Sequence, residues 1–349
     1  MALAVFWFIL IAVLWTGFFV LEGFDLGVGM LHAVLVRDEP GRRAVINTIG
    51  PLWDGNEVWL ITAAAAMFAA FPPWYATLLS GFYLAVVLLL VGLIIRGVSF
   101  EFRGKIDSVR WRRAWDVLLT AGSLIVPLVI GIALGDLLHG VPIGSDQEFA
   151  GNFADLFTGY GVFTGITLVV LCVLHGATFI ALKTTGGVRR RAGLLARRAA
   201  PVTGLVVLAF VTWTHSTAGR GILINLAELA AVLAVFAAAW LIATGHEGWA
   251  FAATTLAMAT TVVSIFVELY PRVMVSSTNS AFDLTVHNTA SGQYALKVMT
   301  IVAIVLLPVV LAYQSWTYHV FRLRLTTEHF QGPEGSGGSG ASVAPQPEA

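Results

Sequence analysis

Polar and charged positions are sparse along this chain, and between them lie long runs in which nearly every residue is apolar. Nine such runs stand at approximately 3–35, 48–70, 75–101, 114–139, 157–183, 200–216, 219–244, 247–270 and 291–322. A helix needs roughly 20 mostly apolar residues to cross a bilayer, and most of the runs meet that length. The sixth is short, ending at Thr214-His215-Ser216, while the first and last exceed the bilayer and must tilt or protrude. The pattern predicts an all-α polytopic membrane protein with nine transmembrane helices in a single domain over 1–325. The first run lacks a basic lead and a small-residue cleavage site, so it reads as a span and not as a removed signal. The tail 331–349 is rich in Gly, Ser and Pro, and is predicted to be disordered, with the composition of a linker.

Composition sharpens this picture. Of 349 residues, 58% are hydrophobic and only 11% charged, against about 25% charged in soluble domains. Net charge is zero, which gives no electrostatic reason to expect a nucleic-acid partner. The basic residues are segregated. Arg37, Arg42 and Arg43, the stretch from Arg96 to Arg113, the stretch from Lys183 to Arg198, and Arg322 and Arg324 fall in one set of loops; Arg220, Arg272 and Lys297 fall on the other side. The positive-inside rule then places the N-terminus outside and the C-terminus in the cytoplasm. A weak echo between Leu31-His32 and Leu174-His175 suggests two similar four-helix bundles, about 3–139 and 157–270, with one peripheral helix at 291–322.

Ionisable side chains inside apolar runs are costly and mark candidate sites. Glu22 and Asp25, three apart, share a helix face within a run whose glycines Gly23, Gly27 and Gly29 admit a close neighbour. Asp54 and Glu57 repeat the spacing in the second run, with Asn56 facing elsewhere and Trp53 and Trp59 alongside. Paired carboxylates at membrane depth suit a proton path, or else pair with a base on another helix, for which Arg96 is the obvious candidate. Arg96 and Glu101 divide between a structural ion-pair role and a functional one; Arg103 reads only as a positive-inside residue. Glu228 reads as the deeper, and Glu268 as the more interfacial, of two further acids. Haem requires axial ligands such as His or Met. His175 is the deepest histidine, yet no second histidine is spaced to clamp a haem with it, so hydrogen-bonded structure is its expected role and ligation the minor one. The lone Cys172 gives neither a disulfide nor a metal pair.

The strings Glu22-Gly23-Phe24-Asp25-Leu26-Gly27-Val28-Gly29-Met30, Gly50-Pro51-Leu52-Trp53-Asp54-Gly55-Asn56-Glu57-Val58-Trp59-Leu60 and Arg96-Gly97-Val98-Ser99-Phe100-Glu101-Phe102-Arg103, with Trp115-Asp116 and Ser276-Ser277-Thr278, resemble subunit II of cytochrome bd-type quinol oxidases. The resemblance runs from about residue 10 to about 325 and is weakest over 185–265. It implies a heterodimer with a larger subunit I that carries b-type and d-type haems. The complex is a quinol:oxygen oxidoreductase of the bacterial plasma membrane. It oxidises menaquinol or ubiquinol, reduces oxygen to water with cytoplasmic protons, and so generates a proton-motive force. It implies that this chain binds no haem or metal firmly, and leaves room for a structural quinone or lipid and a small accessory subunit. Carried over by residue, Asp54 leads a proton path with Asp25, Glu22 and Glu57; Trp53, Arg96, Glu101 and Asp116 serve haem proximity or the integrity of the complex. The rival reading is a proton-coupled secondary transporter, which also uses buried carboxylates and paired bundles. The unequal distribution of glycines between the first and fifth runs speaks against it.

Overall fold

The computed structural model describes residues 2–218 and 225–330. Arg220, the first residues of the seventh run and the tail 331–349 lie outside the described residues. The chain forms α1 (Ala2–Leu35), α2 (Glu39–Asn47), α3 (Trp53–Ala70), α4 (Pro72–Gly81), α5 (Tyr83–Phe102), α6 (Val109–His139), α7 (Gly159–Lys183), α8 (Gly186–Ala218), α9 (Leu226–Thr244), α10 (Glu247–Leu269) and α11 (Gln293–Val320). Eight of these are long and apolar enough to cross a membrane: α1, α5, α6, α7, α8, α9, α10 and α11. The 18-residue α3 opens with the polar Trp-Asp-Gly-Asn-Glu run. Its last turn meets the start of α11, where the Ser291 N–H donates to Ala70 O at 2.8 Å. Its first turn meets the end of α11, where Tyr318 OH donates to Asn56 Oδ1 at 2.9 Å.

Three boundaries differ from the sequence pattern. The basic stretch after Lys183, read as a loop, is helical from Gly186, because Arg, Ala and Leu, all good helix formers, outnumber its glycines. The third run is broken at Phe82 into α4 and α5, and Phe71-Pro72-Pro73-Trp74, read as a loop, already opens α4 with proline in the first turn. Between the first two runs lies α2, whose N-cap Asp38 Oδ2 accepts from Gly41 N at 3.0 Å.

Helix α1 is the axis of the molecule. Every residue from Glu22 to His32 is buried, as α1 packs against α3, α6, α7 and α10. Its crossing with α7 is possible because Gly27 and Gly176 meet backbone to backbone, leaving no room for a Cβ on either. Helices α7, α8, α9 and α10 pack in succession, and α10 closes onto α7. On the other side α6 lies between α5 and α7, while α3 and α5 stand apart over most of their length. Helix α11 is peripheral, with Leu296 its one buried residue. The connections 140–156 and 271–290 knit into one cap. Strand β1 (Arg272–Met274) pairs antiparallel with β2 (Leu284–Thr285), and Val141 N donates to Val275 O at 3.0 Å.

Candidate functional site

Of the carboxylates singled out in the sequence, Glu22 and Glu57 converge on Arg96. Arg96 reaches from α5 to the central helix, where its Nη1 lies 2.6 Å from Glu22 Oε1; it lies 3.7 Å from Glu57 Oε2 on α3. Arg96 and Glu22 are both fully buried, whereas the Glu57 side chain keeps 17% exposure. A buried pair of this kind adds little net stability over an apolar pair, but losing one partner leaves a costly uncompensated charge. The guanidinium also sits 5.3 Å from the centre of the Phe100 ring, which stacks on Trp53 at 5.0 Å. This single turn of α5 therefore joins three of the sequence candidates, Glu22, Glu57 and Trp53.

Asp25, one turn beyond Glu22, has a different partner. Asn56 Nδ2 donates to Asp25 Oδ2 at 2.7 Å and to Leu21 O at 3.2 Å. The Asn56 Oδ1 accepts from Gln314 Nε2 at 2.8 Å and from Tyr318 OH at 2.9 Å, both on α11. All the hydrogen-bonding capacity of this buried amide is thereby used. Trp59 Nε1 donates to Gln314 Oε1 at 3.2 Å and extends the network. Asn56, Gln314 and Tyr318 were missed as functional candidates because an uncharged side chain in an apolar run carries no signal until its distant partners are known.

Asp54 stands apart. It is exposed in the first turn of α3, outside the Arg96 cluster, and Glu101 is likewise exposed at the end of α5. Asp116 is the centre of a second cluster. His32 Nε2 lies 3.2 Å from its Oδ1, Arg103 Nε 2.6 Å from the same oxygen, and Arg42 Nη1 2.8 Å from its Oδ2. Arg103 also forks onto Glu39 at 2.7 and 2.9 Å. Arg103 is thus far more than a positive-inside residue. Desolvation works against its charge, but the hydrogen bonds it donates to Glu39 and Asp116 outweigh it and hold the guanidinium pKa above its ordinary value.

His175 is fixed within the protein. Its Nε2 meets Val20 O at 3.2 Å, its Nδ1 meets Thr254 Oγ1 at 2.8 Å, and its ring stacks on Phe251 at 4.7 Å. With both ring nitrogens engaged, it does not fit a haem ligand. Among the described residues one group, His215, Glu228 and Glu268, brings three donor atoms within 4.8 Å of one another. Glu228 is in the first turn of α9, where it forms a capping box with Asn225 and lies 3.3 Å from His215 Nδ1. It is therefore not the deeper of the two acids; both are buried at the same end. Asn225 Nδ2 donates to Glu268, so the group ties together the ends of α8, α9 and α10.

The gap between α3 and α5 is a cavity of about 780 Å³, lined by apolar side chains with Trp53, Glu57 and Trp15 among them. Glu57 thus connects the Arg96 cluster to this space. Outward, α5 presents Val87, Leu90, Val91 and Ile94, all exposed.

The family model for cytochrome bd terminal oxidase subunit II matches residues 3–321. The chain is 48% identical over 325 residues to cytochrome bd ubiquinol oxidase subunit 2 of Bacillus subtilis, covering 92% of this chain and 96% of that one. It is 36% identical over 362 residues to cytochrome bd-I ubiquinol oxidase subunit 2 of Escherichia coli, covering 93% and 96% respectively. In fold it is similar to a chain of the bd oxidase from Geobacillus thermodenitrificans, with a TM-score of 0.73 at 17% identity, over 92% of this chain and 99% of that one.

Proposed function

The chain belongs to the cytochrome bd terminal oxidase subunit II family, and on that footing we propose that it is the haem-poor subunit of a bacterial membrane quinol:oxygen oxidoreductase, supporting a haem-bearing subunit I and helping to deliver protons. The haems of that partner supply electron transfer and the reduction of oxygen. The chain crosses the membrane nine times, α3 and the α4–α5 pair included, with its N-terminus outside and its C-terminus in the cytoplasm; the segregation of basic residues supports this orientation.

The observation that carries the proton role is the convergence of Glu22, Asp25 and Glu57 around Arg96 and Asn56, beside a cavity that Glu57 lines. Asp54, exposed one turn before Glu57 on the same face of α3, receives protons from the cytoplasmic side. Glu57 passes them inward, and Glu22 and Asp25 hold them at depth while Arg96 limits the net charge. Trp53 and the outward face of α5 pack against the haem-bearing partner, and Glu101 lies at the rim of that contact. The 780 Å³ cavity is the place for a structural quinone or lipid tail.

The test is purification of the complex through this chain, with a reduced-minus-oxidised spectrum and quinol-driven oxygen uptake. The expected result is co-purification of a larger subunit with b- and d-type haem bands. Asp54→Asn is expected to leave haem content intact and lower turnover by about 100-fold or more, the range of a lost proton-transfer group. Loss of all haem in that variant would make Asp54 structural. A colourless, folded chain without a partner would remove the oxidase reading and bring the transporter forward.

A further inference from the structure

A second cavity, of about 470 Å³, lies on the opposite side of the molecule from the α3–α5 gap, where α7, α8, α9 and α10 meet at the basic end of the chain. Its wall is one stripe of α8. Gly186, Arg189, Arg190, Gly193, Leu194 and Arg197 recur at the three- and four-residue spacing of a single helix face. Three arginines line it against one acid, Glu247.

Two of these arginines are anchored and one is free to bind. Arg189 Nε donates to Glu247 Oε1 at 2.7 Å, and Glu247 is shared with Arg324 at 3.1 Å. Arg197 donates to the carbonyls of Ile242 and Ala243 at the end of α9, at 3.3 Å each. Arg190 makes no hydrogen bond or ion pair among the described residues. Its neighbour on the stripe, Gly193, is unexpected for another reason. A glycine inside a helix costs about 1 kcal/mol relative to alanine. Here no helix crosses closely enough to require it, since a Cβ at Gly193 would meet nothing within 4 Å. The glycine keeps space open that the protein itself does not fill.

The position of the mouth identifies what fills it. Trp240 near the end of α9 and Trp249 in the first turn of α10 lie two residues from the lining residues Ile242 and Glu247, and are 64% and 70% exposed. Exposed tryptophans of this kind mark the headgroup level of a bilayer. Leu194, Ala181 and Ile242 make part of the lining apolar, and further along α8 Val202 and Leu205 are exposed. A cationic rim over an apolar wall at headgroup depth matches a phosphate ester with an attached acyl chain.

We propose that this cavity binds an anionic phospholipid, its phosphate held by Arg190 with Arg189 and Arg197, and its glycerol and first acyl carbons seated in the space left open at Gly193. The proposal rests on the reading of α7 to α10 as membrane spans. It does not require the proton role assigned to the other side of the molecule.

The test uses the intact complex purified with its partner, stripped of lipid and examined by native mass spectrometry and thermal unfolding. Phosphatidylglycerol, phosphatidylcholine and inorganic phosphate are added separately. Phosphatidylglycerol is expected to be retained and to raise the unfolding temperature. Phosphatidylcholine and inorganic phosphate are expected to do neither. Arg190→Gln is expected to weaken phosphatidylglycerol retention about fivefold, the contribution of one arginine near a lipid headgroup. Gly193→Leu is expected to abolish it by occupying the space, with the haem spectrum unchanged in both variants. Undiminished retention in Gly193→Leu would overturn the proposal. So would equal binding of phosphatidylcholine, or a shift produced in full by inorganic phosphate, which would make this a simple anion site. A complex lacking haem would count against the oxidase reading alone, because lipid retention is read on the chain's own mass.

Discussion

Three basic side chains, from α1, α2 and the end of α5, converge on the carboxylate of Asp116. The four come as two distant pairs, His32 with Arg42 and Arg103 with Asp116, so the cluster closes the basic end of the first bundle only when all the helices are in place. Asp116→Asn keeps the shape and removes the charge that Arg42 and Arg103 share. The expected cost is about 3 kcal/mol, the size of a broken buried pair, read as a lower unfolding temperature of the complex with turnover per haem preserved. The sign of the pH dependence follows from Arg103. Its folded value is raised, so its contribution is complete below the ordinary arginine range and is lost only above it. Arg103 therefore adds no pH dependence to stability across the range in which the complex is handled.

At the scale of the element, the central crossing of α1 and α7 depends on Gly27 and Gly176. Gly176→Leu drives a side chain into the backbone of α1, an overpacking cost of at least about 3 kcal/mol. The expected outcome is loss of assembled complex from the membrane fraction, whereas Gly55→Ala, at an exposed position with nothing within 4 Å, is expected to assemble normally. Most helices were legible as apolar runs, since a membrane helix announces itself by length and composition alone. What escaped was helix formed from polar residues. Residues 39–47 lack an apolar run, and the first three turns of α8 are so rich in arginine that they read as a connection. The same limit governed the site. Glu22, Asp25, Glu57 and Arg96 were conspicuous as charges in an apolar background, and their convergence followed the pairing expected of buried ions. Asn56, Gln314 and Tyr318 were not conspicuous, because their importance lies in contacts across more than 250 positions of sequence. The exposure of Asp54 was also not legible, since helix periodicity cannot say which face a neighbour will cover.

For the whole molecule, the two sides differ in closure. Helices α7 to α10 form a complete ring, while the α3–α5 side is left open with an exposed carboxylate, Asp54, at its edge and a broad apolar surface on α5. That open, apolar side is where the partner of the proposed complex has room to pack. A cysteine placed at Ile94 is expected to be shielded from a membrane-permeant thiol reagent in the assembled complex, and one at Leu233 on α9 to remain reactive. Equal labelling of the two would place the partner elsewhere. Helix α11 bears on a different matter, the order in which the chain is made. Asn56 leaves the ribosome early, yet two of its four hydrogen bonds come from Gln314 and Tyr318, in the last of the described membrane helices. Until that helix inserts, an amide and the carboxylate it holds stand incompletely satisfied inside the nascent bundle, and a chain stopped short of α11 carries that defect permanently. Closing the network therefore waits on the last helix to be made, and a chain truncated before Gln314 is expected to be less stable in the membrane than the finished one.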